Sequence, residues 1–330
     1  MDMKPTIRKS ILCILTCFIF TLMFLSIGYS QQEDVAKFPS RPITFISTMP
    51  ATAPSAPPIR LLCQGAEKFL SQPIEVVYKP GRGQSIGMAA IASSTPDGYT
   101  IGNATQTGLF VAPLIEKLSY HPVRDLSPIL QWAGFNIGIG VKGDSPFKSL
   151  KDLIQYARQN PKKVIYGTLE DTLINHIIVQ QTGNKERVEF THITFTSPPE
   201  VQTAILKGEI VFGTNAFPPS AIESGQLRYL ALLRDEPSKE YPNVPILKDL
   251  GYDIPCPMGM SIFGPKAINP AIAKKLEDAF TKAIKEPGFI DGMKKLHFPI
   301  VYRNSKELGE YVGRSFEIYS AFLKEMGLAK

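Results

Sequence analysis

Tryptophan is almost missing from this chain, and cysteine and histidine are sparse: one Trp, four Cys and four His in 330 residues. The four histidines, His121, His176, His192 and His297, are scattered without close metal-ligand spacing, so no metal is expected. There is no Gly-x-Ser-x-Gly elbow, and no cysteine stands beside a histidine in a recognisable motif, which leaves nucleophilic catalysis without a signature. No cofactor motif is complete either. Charged residues make up 20% of the chain with no Lys/Arg block, so nothing marks a nucleic-acid stripe. Repeats and low-complexity tracts are also lacking.

Only one long hydrophobic run occurs, and it lies at the N-terminus. Lys4, Arg8 and Lys9 precede an apolar stretch from Ile11 to Ile27, and Gly28-Tyr29-Ser30 supplies small residues at the −3 and −1 positions. This pattern predicts a secretory signal peptide at residues 1–30, cleaved after Ser30, and hence a periplasmic protein. The run is also close to the lower length of an uncleaved membrane anchor. Cleavage would remove three basic residues and one acid, taking the net charge from +6 to +4. Cys13 and Cys17 would leave with the leader. Cys63 and Cys256 would remain, compatible with one bridge or with two free buried thiols, but not with a disulfide framework.

What is present along the remaining chain is alternation. Ile43-Thr44-Phe45-Ile46 reads as a buried strand. The apolar spacing of Ile59, Leu62, Cys63, Ala66, Phe69 and Leu70 reads as a helix. Further strands are predicted around Val76, Ile101, 129–141, 164–166, 188–193, 210–212, 227–233 and 261–263. Helices are predicted from Gly87, from Ser149 as N-cap to Asn160, and over 173–181, 201–206, 272–284 and 305–323. Such βα alternation predicts an α/β protein with mainly parallel sheets covered by helices on both faces. Two blocks, about 43–138 and 142–256, suggest two domains, with the last segment returning to one of them.

Two features point to binding. Lys79-Pro80-Gly81-Arg82-Gly83-Gln84-Ser85-Ile86-Gly87 joins a strand to a helix through a glycine-rich turn, which presents bare backbone N–H groups to an anion. It fails as a dinucleotide fingerprint, because the third glycine comes one residue late and no later acid stands out. Small polar residues also recur at predicted strand ends: Ser47-Thr48, Asn103 to Thr105, Gly167-Thr168, Thr194 to Ser197 and Gly213 to Asn215. Singly these are ordinary caps and turn formers. Together they outline a cleft beyond the carboxyl ends of the strands.

Several ordered phrases resemble one family. They are Phe38-Pro39-Ser40-Arg41-Pro42-Ile43, Lys79-Pro80-Gly81 with Ile86-Gly87, Pro96-Asp97-Gly98-Tyr99-Thr100, Ser119-Tyr120-His121-Pro122 with Asp125-Leu126-Ser127-Pro128, Gly225-Gln226-Leu227-Arg228 and Asn243-Val244-Pro245. The chain from Phe38 to Leu328 is similar to the solute-binding receptors of tripartite tricarboxylate transporters, the Bug family of periplasmic binding proteins. The resemblance implies a type II periplasmic-binding fold: a two-domain clamshell, domain one at 31–140 plus 259–330 and domain two at 141–258, with an interdomain cleft. It implies a monomeric receptor for a small organic acid, working with integral membrane transporter subunits. By analogy the ligand would meet Met49, Ala51, Thr52, Ala53, Arg82, Gln84, Ser85, Ile86 and Thr105 from domain one. From domain two it would meet Thr168, Glu170, Asp171, Thr172, Thr196, Ser197, Thr214 and Asn215.

The departures bear on the ligand. The family's glycine-rich loop after the first strand reads Met49-Pro50-Ala51-Thr52-Ala53-Pro54 here, with Ala56 where an acid is expected. The domain-two loop reads Leu169-Glu170-Asp171-Thr172-Leu173 in place of glycines and a serine. Thr52 and Ala53 allow close backbone approach to an anion poorly, and a buried Glu170 facing a carboxylate would be costly; Asp171 as a helix cap with Glu170 in water is the blander arrangement. The ligand expected is therefore a small anion less charged or more apolar than citrate-like acids. Two other functions stay open on the residues alone: a secreted α/β enzyme acting on a small anion, and a receptor presenting its ligand to a membrane sensor.

Overall fold

The computed structural model describes residues 35–169 and 173–329. The predicted leader, Cys13, Cys17, Glu170, Asp171 and Thr172 lie outside the described residues.

Short β-branched runs form the strands and amphipathic segments the helices between them. Strands β1 (Ile43–Ser47), β2 (Ile74–Tyr78) and β3 (Thr100–Ala104) pair in parallel, and β10 (Gly259–Pro265) and β4 (Leu126–Gly134) complete a five-stranded sheet in the order β2-β1-β3-β10-β4. The second sheet has the order β7-β6-β8-β5-β9, from β5 (Gly138–Lys142), β6 (Ile165–Thr168), β7 (Thr191–Thr194), β8 (Phe212–Asn215) and β9 (Leu227–Leu232). In each sheet a single strand runs against the rest, β10 in the first and β5 in the second. The extended stretch expected over 129–141 is thus two strands in different sheets, with Phe135, Asn136 and Ile137 between them. The chain crosses to the second sheet there and returns through 233–258.

Helices cover both faces of the first sheet. Helix α1 (Ala56–Leu70) begins with Pro57 and Pro58 in its first turn, where a missing N–H costs nothing, and packs against α8 (Pro270–Ala283). Phe45 meets Phe280 of α8 on that face, with ring centroids 6.3 Å apart. On the other face a Cβ on Gly102 would strike Ile91 of α2 (Ser85–Ala92). A short π-helical turn, Thr107–Val111, runs into α3 (Ala112–Ile115). Helix α9 (Pro287–Lys295) packs on α1, and α10 (Ser305–Glu325) on β4. The π-turn, α3 and α9 had no signal in the apolar spacing.

The second sheet carries α4 (Leu150–Gln159), α5 (Ile174–Glu186), α6 (Pro198–Lys207) and α7 (Pro219–Glu223). Ser149 caps α4 in a reciprocal box with Asp152, as its position predicted. Arg228, part of a recurring family phrase, acts locally. Its guanidinium donates to the carbonyls of Gly143 and Ser145, at 2.7 and 2.8 Å, and of Phe147. Those bonds pin the loop leading into α4. Cys63 on α1 and Cys256 on the returning connection are buried and free, so no bridge joins them. Burial pushes both thiols up from their ordinary pKa. Among the described residues no helix is long and apolar enough to cross a membrane.

Candidate ligand-binding site

Parallel strands that end at one edge of a sheet bring their following loops together. In the first sheet these are the loops after β1, β2 and β3, and one side chain ties all three. Gln84 accepts from the Thr48 hydroxyl at 3.1 Å and donates to the Thr105 hydroxyl at 2.6 Å. All three residues are buried.

Gln84 holds this position at a conformational cost. Gly81, Arg82, Gly83 and Gln84 all have positive φ, at 123°, 46°, 58° and 73°. Two of these residues carry side chains that disfavour the left-handed region. The strain persists because the surrounding contacts over-determine it. The turn delivers the chain to the N-terminus of α2, where Ser85 is buried and Ile86 exposed. Gly87 lets that helix start lie on the sheet: an added Cβ would come 2.8 Å from the Lys79 carbonyl and 2.9 Å from Thr48 Cγ2.

The other residues expected in this half behave differently. Arg82 points to the rim and pairs with Glu116 at 3.2 Å, with 71% of its side chain exposed. Ala51 and Thr52 are exposed; Met49 and Ala53 are half-buried. Asn103, between Ser47 and Ile262 in the register, is fully buried, yet neither atom of its amide has a partner. The Ser55 hydroxyl ahead of α1 is likewise buried and unpartnered.

In the second sheet, Thr168 is fully buried and its hydroxyl lies 2.7 Å from His192 Nε2. His192 packs against His176 of α5 with the rings tilted by 50° and their centroids 4.1 Å apart. The Tyr166 hydroxyl sits 2.9 Å from His176 Nδ1 and accepts from Gln180 at 2.8 Å. Burial pushes the Tyr166 phenol up, so it stays protonated across the physiological range. Thr214 is held by Asn175, whose amide donates to its carbonyl and hydroxyl, each at 2.8 Å. Thr196 faces outward, with its hydroxyl and N–H spent on Glu200. Those two bonds hold the Glu200 carboxyl below the usual range. Ser197 occupies the N-cap of α6 without a side-chain capping bond, and Asn215 accepts from Ala216 N–H.

The structure therefore gathers Thr48, Gln84, Ser85 and Thr105 in one group and Thr168 and Thr214 in another. It turns Arg82 and Thr196 to other partners. Sequence reasoning missed Asn175 and the clustering of two histidines. His176 and His192 lie on a helix and a strand with a loop between, so no local spacing announces them. Helix α5 also touches the π-turn of the first-sheet half, and Ile174, Ile177 and Ile178 share an apolar cluster with Leu109, Phe110 and Val111. Among the described residues no group of three His, Cys, Asp or Glu is arranged to hold a metal.

Comparison with known proteins adds four findings. Residues 59–328 match the family described as "Tripartite tricarboxylate transporter family receptor". The chain is 33% identical over 301 residues to the "UPF0065 protein in gbd 5'region" of Cupriavidus necator, covering 91% of each. A TctC solute-binding protein from Polaromonas superposes with a TM-score of 0.81 at 24% identity, over 87% of this chain and 99% of the other. MatC from Rhodopseudomonas palustris, with bound malate, gives a TM-score of 0.65 at 19% identity, over 87% of this chain and all (100%) of the other. These likenesses establish the two-domain clamshell architecture.

Proposed function

Because the chain belongs to the tripartite tricarboxylate transporter receptor family, we propose that it is exported, loses residues 1–30, and serves in the periplasm as a monomeric carboxylate receptor for membrane transporter subunits. The family and the fold are those of solute-binding receptors rather than enzymes. Such a protein needs a site that binds and closes, with no reacting group. In this reading lobe one comprises 31–140 and 259–330, and lobe two 141–258. The membership of Gly138 in the second sheet supports drawing the first boundary a few residues earlier.

The observation that carries the proposal is the Thr48–Gln84–Thr105 network beneath the left-handed turn at 81–84. It fixes the start of α2, whose first N–H groups suit a carboxylate. Ser85, Ile86 and the 49–53 loop complete this wall. In this reading the facing wall is drawn from Thr168, Thr214, Asn215 and Ser197 of the second-sheet half. Arg82 joins the first wall, and Thr196 the facing one, only by giving up Glu116 and Glu200.

The ligand we propose is a small carboxylate less charged or more apolar than citrate. Support comes from the loop after β1, where Met49 and Ala53 are half-buried and no glycine offers backbone to an anion. The malate bound by MatC shows the ligand class of one fold relative. A thermal-shift panel of citrate, malate, adipate and branched or aromatic monocarboxylates tests both parts. Ligand at about a hundred times its Kd adds about 2.7 kcal/mol, a shift of several degrees. Best stabilisation by citrate overturns the ligand class. A flat response to the whole panel overturns carboxylate capture.

A further inference from the structure

Every segment that passes between the two sheets is fastened at one dipeptide, Arg234-Asp235, just after β9. Arg234 is buried and donates to the Asn136 side-chain oxygen on the outgoing connection. Asn136 in turn accepts from Ser238 at 3.2 Å and donates to Glu240 at 2.6 Å. Asp235 reaches the other way. It accepts from the Cys256 N–H on the returning connection at 2.8 Å, from the Tyr311 hydroxyl on α10 at 2.6 Å, and from Arg303 at 3.3 Å. Arg303 is anchored to β4 through Gln131 at 2.7 Å and lies 4.3 Å from the centre of the Tyr311 ring. A cavity of about 570 Å³ borders the cluster, lined also by Lys248, Tyr252, Tyr302 and Arg314.

We infer that Arg234-Asp235 is a hinge latch: a pair of adjacent opposite charges that fixes the resting angle between the lobes by fastening both connections, Asp235 to the first-sheet half and Arg234 to the outgoing connection. The inference rests on the two-lobe reading above, because a latch matters only if the lobes move. A carboxylate is well suited to this position. It takes three donors from three separate segments, and charge-assisted bonds are stronger than neutral ones. Loss of Asp235 leaves the Cys256 N–H and the Tyr311 hydroxyl short of an acceptor at once, while Arg303 keeps Gln131 at 2.7 Å and Glu236 at 3.7 Å. The apparent affinity of a closing receptor depends on how populated its closed state is, so this cluster tunes binding from outside the ligand site.

The test needs no ligand, so its failure is separate from failure of the carboxylate proposal. Amide hydrogen exchange and small-angle scattering are recorded on the unliganded protein as wild type, Asp235→Ala, Tyr311→Phe and Asn136→Ala. In Asp235→Ala, exchange at Cys256 and across 253–258 rises about tenfold or more, as expected for losing charge-assisted bonds. The radius of gyration broadens, and the centres of β1, β3, β6 and β8 keep wild-type protection. Tyr311→Phe, which removes one donor and little volume, gives the same pattern at smaller amplitude; Asn136→Ala gives it at 135–137. Wild-type exchange in all three variants overturns the latch. So does a uniform rise over both sheets, which marks a stability contact only. Should Asp235→Ala not fold, Tyr311→Phe and Asn136→Ala decide by the same readout.

Discussion

The side-chain amide of Gln84 donates to the hydroxyl of Thr105 across 2.6 Å, joining two loops that are 21 residues apart in the chain. Because the same side chain accepts from Thr48, its removal strands two buried hydroxyls. Gln84→Ala loses these bonds and keeps the left-handed strain, and should cost about 2–4 kcal/mol. Gln84→Gly loses the same bonds but relieves the strain, and should be about 1 kcal/mol less damaging. Urea unfolding of both variants measures the difference. Equal midpoints would show that the turn at 81–84 is not strained.

Gly87 and Gly208 separate two reasons for being glycine. At Gly87 the obstacle is space, since a Cβ would sit 2.8 Å from the Lys79 carbonyl and 3.1 Å from the Thr48 backbone. At Gly208 it is φ, +76° with nothing within 4 Å. Gly87→Ala should push α2 off the ends of β1 and β2, costing about 1–3 kcal/mol as overpacking does, and should abolish stabilisation by any carboxylate in the panel. Gly208→Ala should cost about 1 kcal/mol and leave that stabilisation intact. An intact ligand response in Gly87→Ala would place the site elsewhere.

Much of the fold was readable because buried β-branched runs such as Ile43–Ile46 and apolar stripes such as that of α1 carry their own period. Assignment of strands to sheets was not. The stretch 129–141 is apolar apart from Gln131 and Asn136, and hydropathy does not register that Leu130 and Ile139 belong to different sheets. The grouping of Thr48, Gln84 and Thr105 was legible in outline because all three follow strand ends. Only the folded chain shows that Gln84 spends its amide on the other two. The partners of Arg82 and Thr196 were illegible for a common reason: the sequence does not show which nearby carboxylate, Glu116 or Glu200, a polar loop residue will meet.

The capping box of α4 makes a pH prediction. Lys148 N–H, then the Ser149 side chain, hold the Asp152 carboxyl below its usual range. A carboxyl depressed in the folded state contributes stability above its unfolded pKa of about 3.9 and loses it as pH falls through the lower folded value. The acid limb of the stability curve should therefore steepen below about pH 4. Asp152→Asn should lower the neutral region by that contribution and so flatten the acid limb. Denaturant midpoints taken from pH 6 downward on both proteins check it, and parallel acid limbs would remove Asp152 from the account.

Asn103 offers the opposite kind of mutation, one expected to stabilise. Its amide is fully buried on β3 with neither nitrogen nor oxygen bonded, between Ser47 and Ile262 in the register. A buried polar group without a partner costs about 1–3 kcal/mol, whereas an apolar group of similar shape costs nothing of the kind. Leucine has the same branched outline, with two somewhat bulkier methyls, and extends an apolar face already formed by Ile101 on the same strand and Phe45 on β1. Asn103→Leu should thus raise the unfolding midpoint by the equivalent of about 1–2 kcal/mol. Equilibrium unfolding measures it directly. A fall in stability would mean that the amide has a partner in solution, and a water held inside the first lobe, visible in a crystal structure of the wild-type protein, would then be the group to seek.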